Sequence, residues 1–198
     1  MSDKYGSGQD PYTYPDSDVL INKLGINDDS KFDDAERQLS ELAVLDIEFE
    51  EPPYDLHYWC GLHGKIFGDL FDWAGEIRLI DISKGQTRFC TVSRIVIEAN
   101  KIFTKLSNDD FLQGLERPAL ITQLAEYYSD LNVIHPFREG NGRSQRLLFE
   151  HIIINCGYGV SFEKIGVQEW LAANVAGYHG NTQPLADIFE KSILRPLQ

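Results

Sequence analysis

Positive charge is scarce in this chain: 18 Lys plus Arg stand against 31 Asp plus Glu, a formal balance of −13. A chain so short of cations cannot neutralise a run of phosphates, which argues against non-specific binding to DNA, RNA or anionic lipid. A small anionic ligand needs only two or three well-placed cations and is not excluded. Cysteine is scarce too. The three residues, Cys60, Cys90 and Cys156, are far apart and odd in number, with no Cys-x-x-Cys pair. That excludes a disulfide framework and a cysteine-rich zinc site, and it suits a reducing cytosol. No window of about 18 uninterrupted apolar residues occurs, and the N-terminus lacks a basic and then apolar leader. The chain is therefore expected to be soluble and cytoplasmic. No internal repeat and no βαβ alternation is visible, which excludes a Rossmann-type sheet.

What is present is an ordinary globular composition. The 198 residues are 42% hydrophobic and 12% aromatic, enough to bury one core of normal size. Their charge is uneven: the first 60 residues carry 15 acidic and 4 basic side chains, a balance of −11, and leave a nearly neutral body. The acidic end reads either as a solvated face or as a docking surface for a basic partner. Two parts are expected: an N-terminal arm and helix over 1–55, packing on a core unit that spans 56–198.

The fold class is mainly α. Residues 1–18, rich in Gly, Pro, Asp, Ser and Tyr, favour an irregular arm. A helix starts near Asp29 and Ser30 with Phe32, Ala35, Leu39, Leu42 and Leu45 on its apolar stripe. The prolines of EPPYD at 51–55 stop it. Leu56, Trp59, Leu62, Ile66, Phe67 and Leu70 form a second stripe over 56–72. The β-branched run IRLIDI at 77–82, followed by Lys84-Gly85-Gln86-Thr87 and RFC, predicts a β-hairpin. Further helices are expected at 94–107, 118–131, 143–156, 166–178 and 184–194.

One segment carries chemistry: His135-Pro-Phe-Arg-Glu-Gly-Asn-Gly-Arg-Ser-Gln-Arg146. Pro136 disfavours helix at His135, so the preceding helix should end there and leave the imidazole at a loop edge. Gly140 and Gly142 bracket Asn141 and permit positive φ and close backbone approach to a ligand. The following helix points its unpaired N–H groups and positive dipole end into the loop, which suits a phosphate. Arg143 and Arg146 share one face near that end, an unfavourable place for cations unless an anion lies between them. Glu139 offers the hard oxygen that Mg²⁺ takes alongside substrate phosphates. Histidine is the side chain whose ordinary pKa lies near neutrality, so His135 can take a proton from an attacking hydroxyl. Phe137 reads as an apolar anchor. Singly, a histidine before proline, a Gly-Asn-Gly turn or two helix arginines are commonly structural; together within twelve residues they stand in an order that one nucleotide could span.

This segment resembles the signature of the Fic family, His-x-Phe-x-Asp/Glu-Gly-Asn-Gly-Arg-x-x-Arg, at all eight specified positions: His135, Phe137, Glu139, Gly140, Asn141, Gly142, Arg143 and Arg146. LHGKIFGDLFDWAGEIR at 62–78 resembles the helix that leads to the family's hairpin, and YGSGQDPYTYP resembles the arm of bacterial Fic toxins. The resemblance implies a helical bundle with a central helix–loop–helix active-site loop and one β-hairpin flap. It implies a protein adenylyltransferase that moves AMP from ATP to a Ser, Thr or Tyr hydroxyl, with His135 as base and Glu139 holding Mg²⁺. Arg138, Gly140, Asn141, Gly142 and Arg143 would bind phosphate, and Arg146 would reach the γ-phosphate. The hairpin around Ile80, Ile82, Lys84, Gly85 and Phe89 would pair with the target backbone. Asn174 and Tyr178 are the residues assigned to the adenine pocket.

Many Fic proteins carry an inhibitory helix with the pattern Ser/Thr-x-x-x-Glu-Gly/Asn. The only Ser/Thr-x-x-x-Glu match, Thr122 to Glu126, is followed by Tyr127 and lies within the helix that leads to the signature. By resemblance, the chain is then a bacterial toxin restrained by a separate small antitoxin whose glutamate pairs with Arg146. Its targets, in the subgroup it most resembles, are type II topoisomerase subunits. The alternatives are transfer of UMP, phosphocholine or phosphate, and a non-catalytic interaction module; an intact base and metal ligand argue against the module.

Overall fold

The computed structural model describes residues 10–197. Seven α-helices dominate the described residues: α1 (Asp29–Leu45), α2 (Leu56–Phe67), α3 (Val92–Asn108), α4 (Arg117–Ile134), α5 (Asn141–Asn155), α6 (Val167–Tyr178) and α7 (Gln183–Ser192). The expected helices are all present, with bounds moved by a few residues. Their starts follow ordinary capping chemistry. The Asp28 carboxylate accepts from the Lys31 N–H, the Asp55 carboxylate from the Tyr58 N–H, and Pro118 and Pro184 occupy first turns, where a missing N–H costs nothing.

Helices α4 and α5 run through the middle of the molecule. Leu120, Leu124 and Leu131 of α4 and Leu148, Phe149, Ile152 and Ile153 of α5 are buried with Trp59 and Phe67 of α2 and Ile188 and Phe189 of α7. Each such side chain, withdrawn from water, contributes roughly 1.5–3 kcal/mol before entropy is counted. The stripe expected on α2 is buried at all six positions. The loop between α4 and α5 is thus held at both ends by the most deeply packed helices.

Three expectations need correction. The run IRLIDI is not a strand: β1 is only Ser83–Lys84, pairing antiparallel with β2 (Thr87–Arg88) around the turn Gly85-Gln86. Upstream backbone groups are taken elsewhere, since the Arg78 N–H donates to the Pro136 carbonyl and the Leu79 N–H to the Tyr12 hydroxyl. The second correction concerns α1. Phe32, Glu36 and Ser40 face inward, whereas Leu42 and Leu45 are 60% and 79% exposed. The helix turns a polar pair toward the core because a cation waits there. Third, α5 begins at Asn141, with Gly140 as its left-handed cap, and not at residue 143. Strands β3 (Tyr158–Val160) and β4 (Ile193–Pro196), which pair near the C-terminus, were not anticipated.

Candidate active site

His135 ends α4 in the left-handed conformation, φ 45° and ψ 62°. For a non-glycine residue this costs on the order of 1–3 kcal/mol and is tolerated where the surroundings enforce it. Pro136 excludes the helical alternative. The Nδ1 of His135 lies 3.0 Å from the Asn132 carbonyl oxygen, an acceptor only, so Nδ1 carries the proton and Nε2 is the basic nitrogen. The ring lies flat on Phe89, with centroids 3.7 Å apart and planes 10° from parallel. Phe89, expected in the target-positioning flap, is buried at the hairpin's base and fixes the imidazole plane.

The loop beyond is braced from within. Asn141 Oδ1 accepts from the Phe137 N–H at 2.9 Å, and Nδ2 donates to the Phe137 carbonyl at 2.8 Å. The Asn141 side chain is therefore a brace and not a phosphate donor; its place at the start of α5 leaves the backbone N–H for an anion. Phe137 is fully buried, stacked on His63 at 3.9 Å and edge-on to Trp59. Gly140 is the position that admits no side chain. Its φ is +78°, and a Cβ would stand 2.3 Å from the Phe67 ring. Glu139 Oε1 accepts from the Gly140 N–H at 3.0 Å, which keeps the carboxylate beside the helix end.

Buried His63 supports that loop from below. Its Nδ1 accepts from the Gly75 N–H at 2.9 Å, so Nε2 carries the proton and donates to the Glu139 carbonyl, also at 2.9 Å. Burial pulls its pKa down to about 4, so the ring is neutral at physiological pH.

The three arginines of the segment have different fates. Arg138, expected among the phosphate binders, points away from the cleft: Nε donates to Asp10 Oδ2 at 2.8 Å, and both side chains are almost fully buried. The same Asp10 oxygen also accepts from Nη2, so the guanidinium fork is fastened to the arm. Arg143 lines the cleft over the Phe67 ring, but its guanidinium is paired with Glu36 and donates to Ser40 Oγ at 2.8 Å. Arg146 lines the cleft beside Trp170. Among the described residues no carboxylate forms an ion pair with it.

The cleft itself, about 380 Å³, is lined by His135, Glu139 through Arg143 and Arg146 on one side. Lys84 and Thr87 of the hairpin, Phe89 beside it, Asn132 of α4, and Val167, Leu171, Asn174 and Val175 of α6 complete it. Asn174 thus belongs to the cleft, and its Oδ1 is buried with no hydrogen-bond partner among the described residues. Tyr178 does not line it; its hydroxyl donates to the Arg88 carbonyl at 3.3 Å and ties α6 to the hairpin. Ile80 contributes a carbonyl, and Ile82 is buried, so of the expected flap residues Lys84 and Phe89 reach the cleft, with Gly85 at the exposed turn in a left-handed conformation.

A helix N-terminus, a base of defined tautomer and a single carboxylate facing one cleft suit a nucleoside polyphosphate. The family model described as Fic/DOC matches residues 53–153. The chain belongs to the Fic/DOC family. A probable protein adenylyltransferase Fic of Salmonella typhimurium is 39% identical over 98% of this chain and 96% of its own length. Protein adenylyltransferase VbhT of Bartonella schoenbuchensis is 30% identical over 96% of this chain and 40% of its own length. Among solved structures, BepC of Bartonella tribocorum with bound AMPPNP superposes with a TM-score of 0.87 at 26% identity, covering 94% of this chain and 97% of that one. The Fic domain of a Bartonella quintana effector with bound ADP gives 0.87 at 29% identity, covering 94% and 95%.

The Fic signature alone could not reveal Asp10, Glu36, His63 or Arg78 as parts of this site. Each is distant in sequence from what it holds. The signals present were an aspartate in the arm and buried-face polar residues on α1, both compatible with a plain solvated surface. Among the described residues no group of three or more His, Cys, Asp or Glu could hold a metal by itself. One carboxylate at a phosphate site fits Mg²⁺ shared with a nucleotide, and does not fit a metal held by protein alone. The thiols are inert partners of the fold: burial raises Cys60 to about 11 and Cys156 to about 12. Among the described residues no helix is long and apolar enough to cross a membrane.

Proposed function

We propose that this Fic protein is a protein adenylyltransferase that uses ATP and Mg²⁺ to place AMP on a hydroxyl side chain of a target protein. The observation that carries the reading is His135, whose basic Nε2 and fixed ring plane stand beside the amide end of α5. Nε2 takes the proton as the target oxygen bonds to the α-phosphorus; the bond from that phosphorus to the bridging oxygen breaks, and pyrophosphate leaves with the electron pair. The amides of Asn141 to Arg143 and the Arg143 and Arg146 guanidinium groups hold the phosphate oxygens. Glu139 would hold Mg²⁺, which when bound neutralises charge on the α- and β-phosphates. The apolar wall of Val167, Leu171 and Val175 suits a base, and the unpartnered Asn174 Oδ1 suits an exocyclic amine. The names of the relatives and the nucleotides in the solved neighbours support the same reading.

Regulation by a separate antitoxin is part of the proposal. A groove between α1 and α5 has Leu42, Leu45, Leu147 and Phe162 on its walls, and Arg143 and Arg146 are common to it and the nucleotide cleft. An amphipathic helix in that groove could bring a glutamate to Arg146 and compete with the γ-phosphate. The target we favour, on resemblance, is a type II topoisomerase subunit in the bacterial cytoplasm.

Incubation of the purified chain with ATP, Mg²⁺ and a bacterial lysate or a purified topoisomerase subunit tests the reaction. Label in the α-position should become protein-bound, and His135→Ala should lower the rate by about 10²–10⁴-fold. Equal labelling by the variant would remove His135 from the base role, and label passing only from the γ-position would indicate a kinase. Expression of the chain alone should slow growth, with relief from a neighbouring small reading frame; harmless expression would count against an external brake.

A further inference from the structure

Arg78 is 1% exposed, and its guanidinium spreads over three separate stretches of backbone. Nε donates to the His135 carbonyl at 2.9 Å, Nη1 to the Ile80 carbonyl at 2.6 Å, and Nη2 to the Cys90 carbonyl. Its own N–H donates to the Pro136 carbonyl at 2.9 Å, and the Cys90 N–H donates to the Val133 carbonyl at 2.9 Å. The partial counter-charge is Asp81, whose Oδ1 stands 3.9 Å from Nη1, is half-exposed, and also accepts from the Val92 N–H at the start of α3.

A buried cation without a close carboxylate is costly, and folds retain one where its hydrogen bonds are all used. Here the acceptors have a pattern. Ile80 and Cys90 flank the hairpin β1–β2 on its two arms, so one planar fork closes the hairpin at its open end. The third acceptor is the carbonyl of the base itself. We propose that Arg78 is a positioning residue that sets the hairpin's height and angle relative to His135, and thereby where a hydroxyl presented along the hairpin meets the imidazole. The hairpin tip can yield to a target while its base stays in register with Nε2. The functional part of this inference rests on the adenylyl-transfer reading; the mechanical part stands without it.

Lysine keeps the charge but concentrates its donors on one tetrahedral nitrogen, which cannot span the three carbonyls. In Arg78→Lys, protein-bound α-label should form about 10²-fold more slowly, the penalty of misplaced reacting groups, while ATP affinity measured by calorimetry changes less than about threefold. The exchange rates of the Arg78-position, Phe89 and Cys90 amides should rise about tenfold or more in the same variant. Transfer at the wild-type rate, or a loss of transfer matched by an equal loss of ATP affinity with exchange unchanged, would overturn the inference. If the wild-type chain moves no α-label, the adenylyl-transfer reading fails, and the exchange comparison still decides the coupling. If the lysine variant does not fold, native-state exchange of the wild-type chain decides. The Arg78 and Cys90 amides should then open as one unit, with rates and denaturant dependence agreeing within about threefold; a Cys90 amide that opens independently and about tenfold faster would overturn it.

Discussion

The signature loop and the hairpin face each other across one cleft and are built on opposite plans. Between His135 and Arg146 most polar groups are committed in advance: the Asn141 side chain to Phe137, Arg138 to Asp10, Arg143 to Glu36, and the Glu139 backbone carbonyl to His63. The hairpin has four residues in strand, a two-residue turn, and an exposed tip. Its restraints are at its base, where Arg78, Phe89 and the Tyr178 hydroxyl hold it. The lesson is a division of labour. A loop that must meet a transition state keeps its dipoles fixed so that none need reorient during reaction. An element that must meet a foreign backbone keeps its edge unpaired and its tip adaptable.

Substitutions should separate the two plans, and the largest stability effect is expected at the arm. Asp10→Asn leaves the buried Arg138 uncompensated, and denaturant unfolding should show a loss of about 3–5 kcal/mol. A loss under about 1 kcal/mol would mean that water reaches the pair. Next comes His63→Gln, which breaks the link from Gly75 to the Glu139 carbonyl and should cost about 1–3 kcal/mol.

His63 also has a pH signature. In the folded protein it takes up a proton near pH 4, whereas the unfolded chain does so near pH 6.5, so the unfolded state binds more protons between those values. Stability should therefore fall as pH drops from about 6.5 to 4, by about 3 kcal/mol from this residue, and level off below. His151, also pulled down to about 4 by burial, adds a fall of the same sign. His63→Gln should flatten the part due to His63; an unchanged pH profile would place the proton uptake elsewhere. Glu36→Gln, at a partly exposed pair, should cost about 1 kcal/mol in stability and change the ATP affinity through the freed Arg143. The last and most local stability effect is expected for Gly85→Val at the exposed turn, about 1 kcal/mol, the low end of the cost of a left-handed φ (+57°) because the exposed tip can relax.

Much of the site was legible in the sequence because it is local. Twelve consecutive residues contain the proposed base, the proposed Mg²⁺ ligand and the helix end, and proline and glycine mark the turns between them. The helices were legible for the same reason, since a period of 3.6 needs only neighbouring residues. What was not legible depends on chain segments that meet only in the fold: Asp10 and Arg138 are 128 positions apart, Glu36 and Arg143 107. The misreading of α1 has this cause. Its leucines suggested the buried face, but a cation from α5 drew Glu36 and Ser40 inward and left Leu42 and Leu45 outside. The run IRLIDI failed differently, because its backbone partners are an arginine side chain, a tyrosine hydroxyl and a loop carbonyl, none of which β-propensity describes.

The division of labour is tested most directly by measuring two rates in the same variants: AMP transfer to protein, and the slow release of AMP and pyrophosphate from ATP when water replaces the target. Glu139→Gln in the loop should depress both by about 10²-fold or more. Gly85→Val in the hairpin should depress protein transfer by about tenfold or more while the water reaction stays within about threefold of wild type. Equal loss of both rates in Gly85→Val would contradict the account, because it would place the hairpin among the groups that hold the nucleotide and not the target.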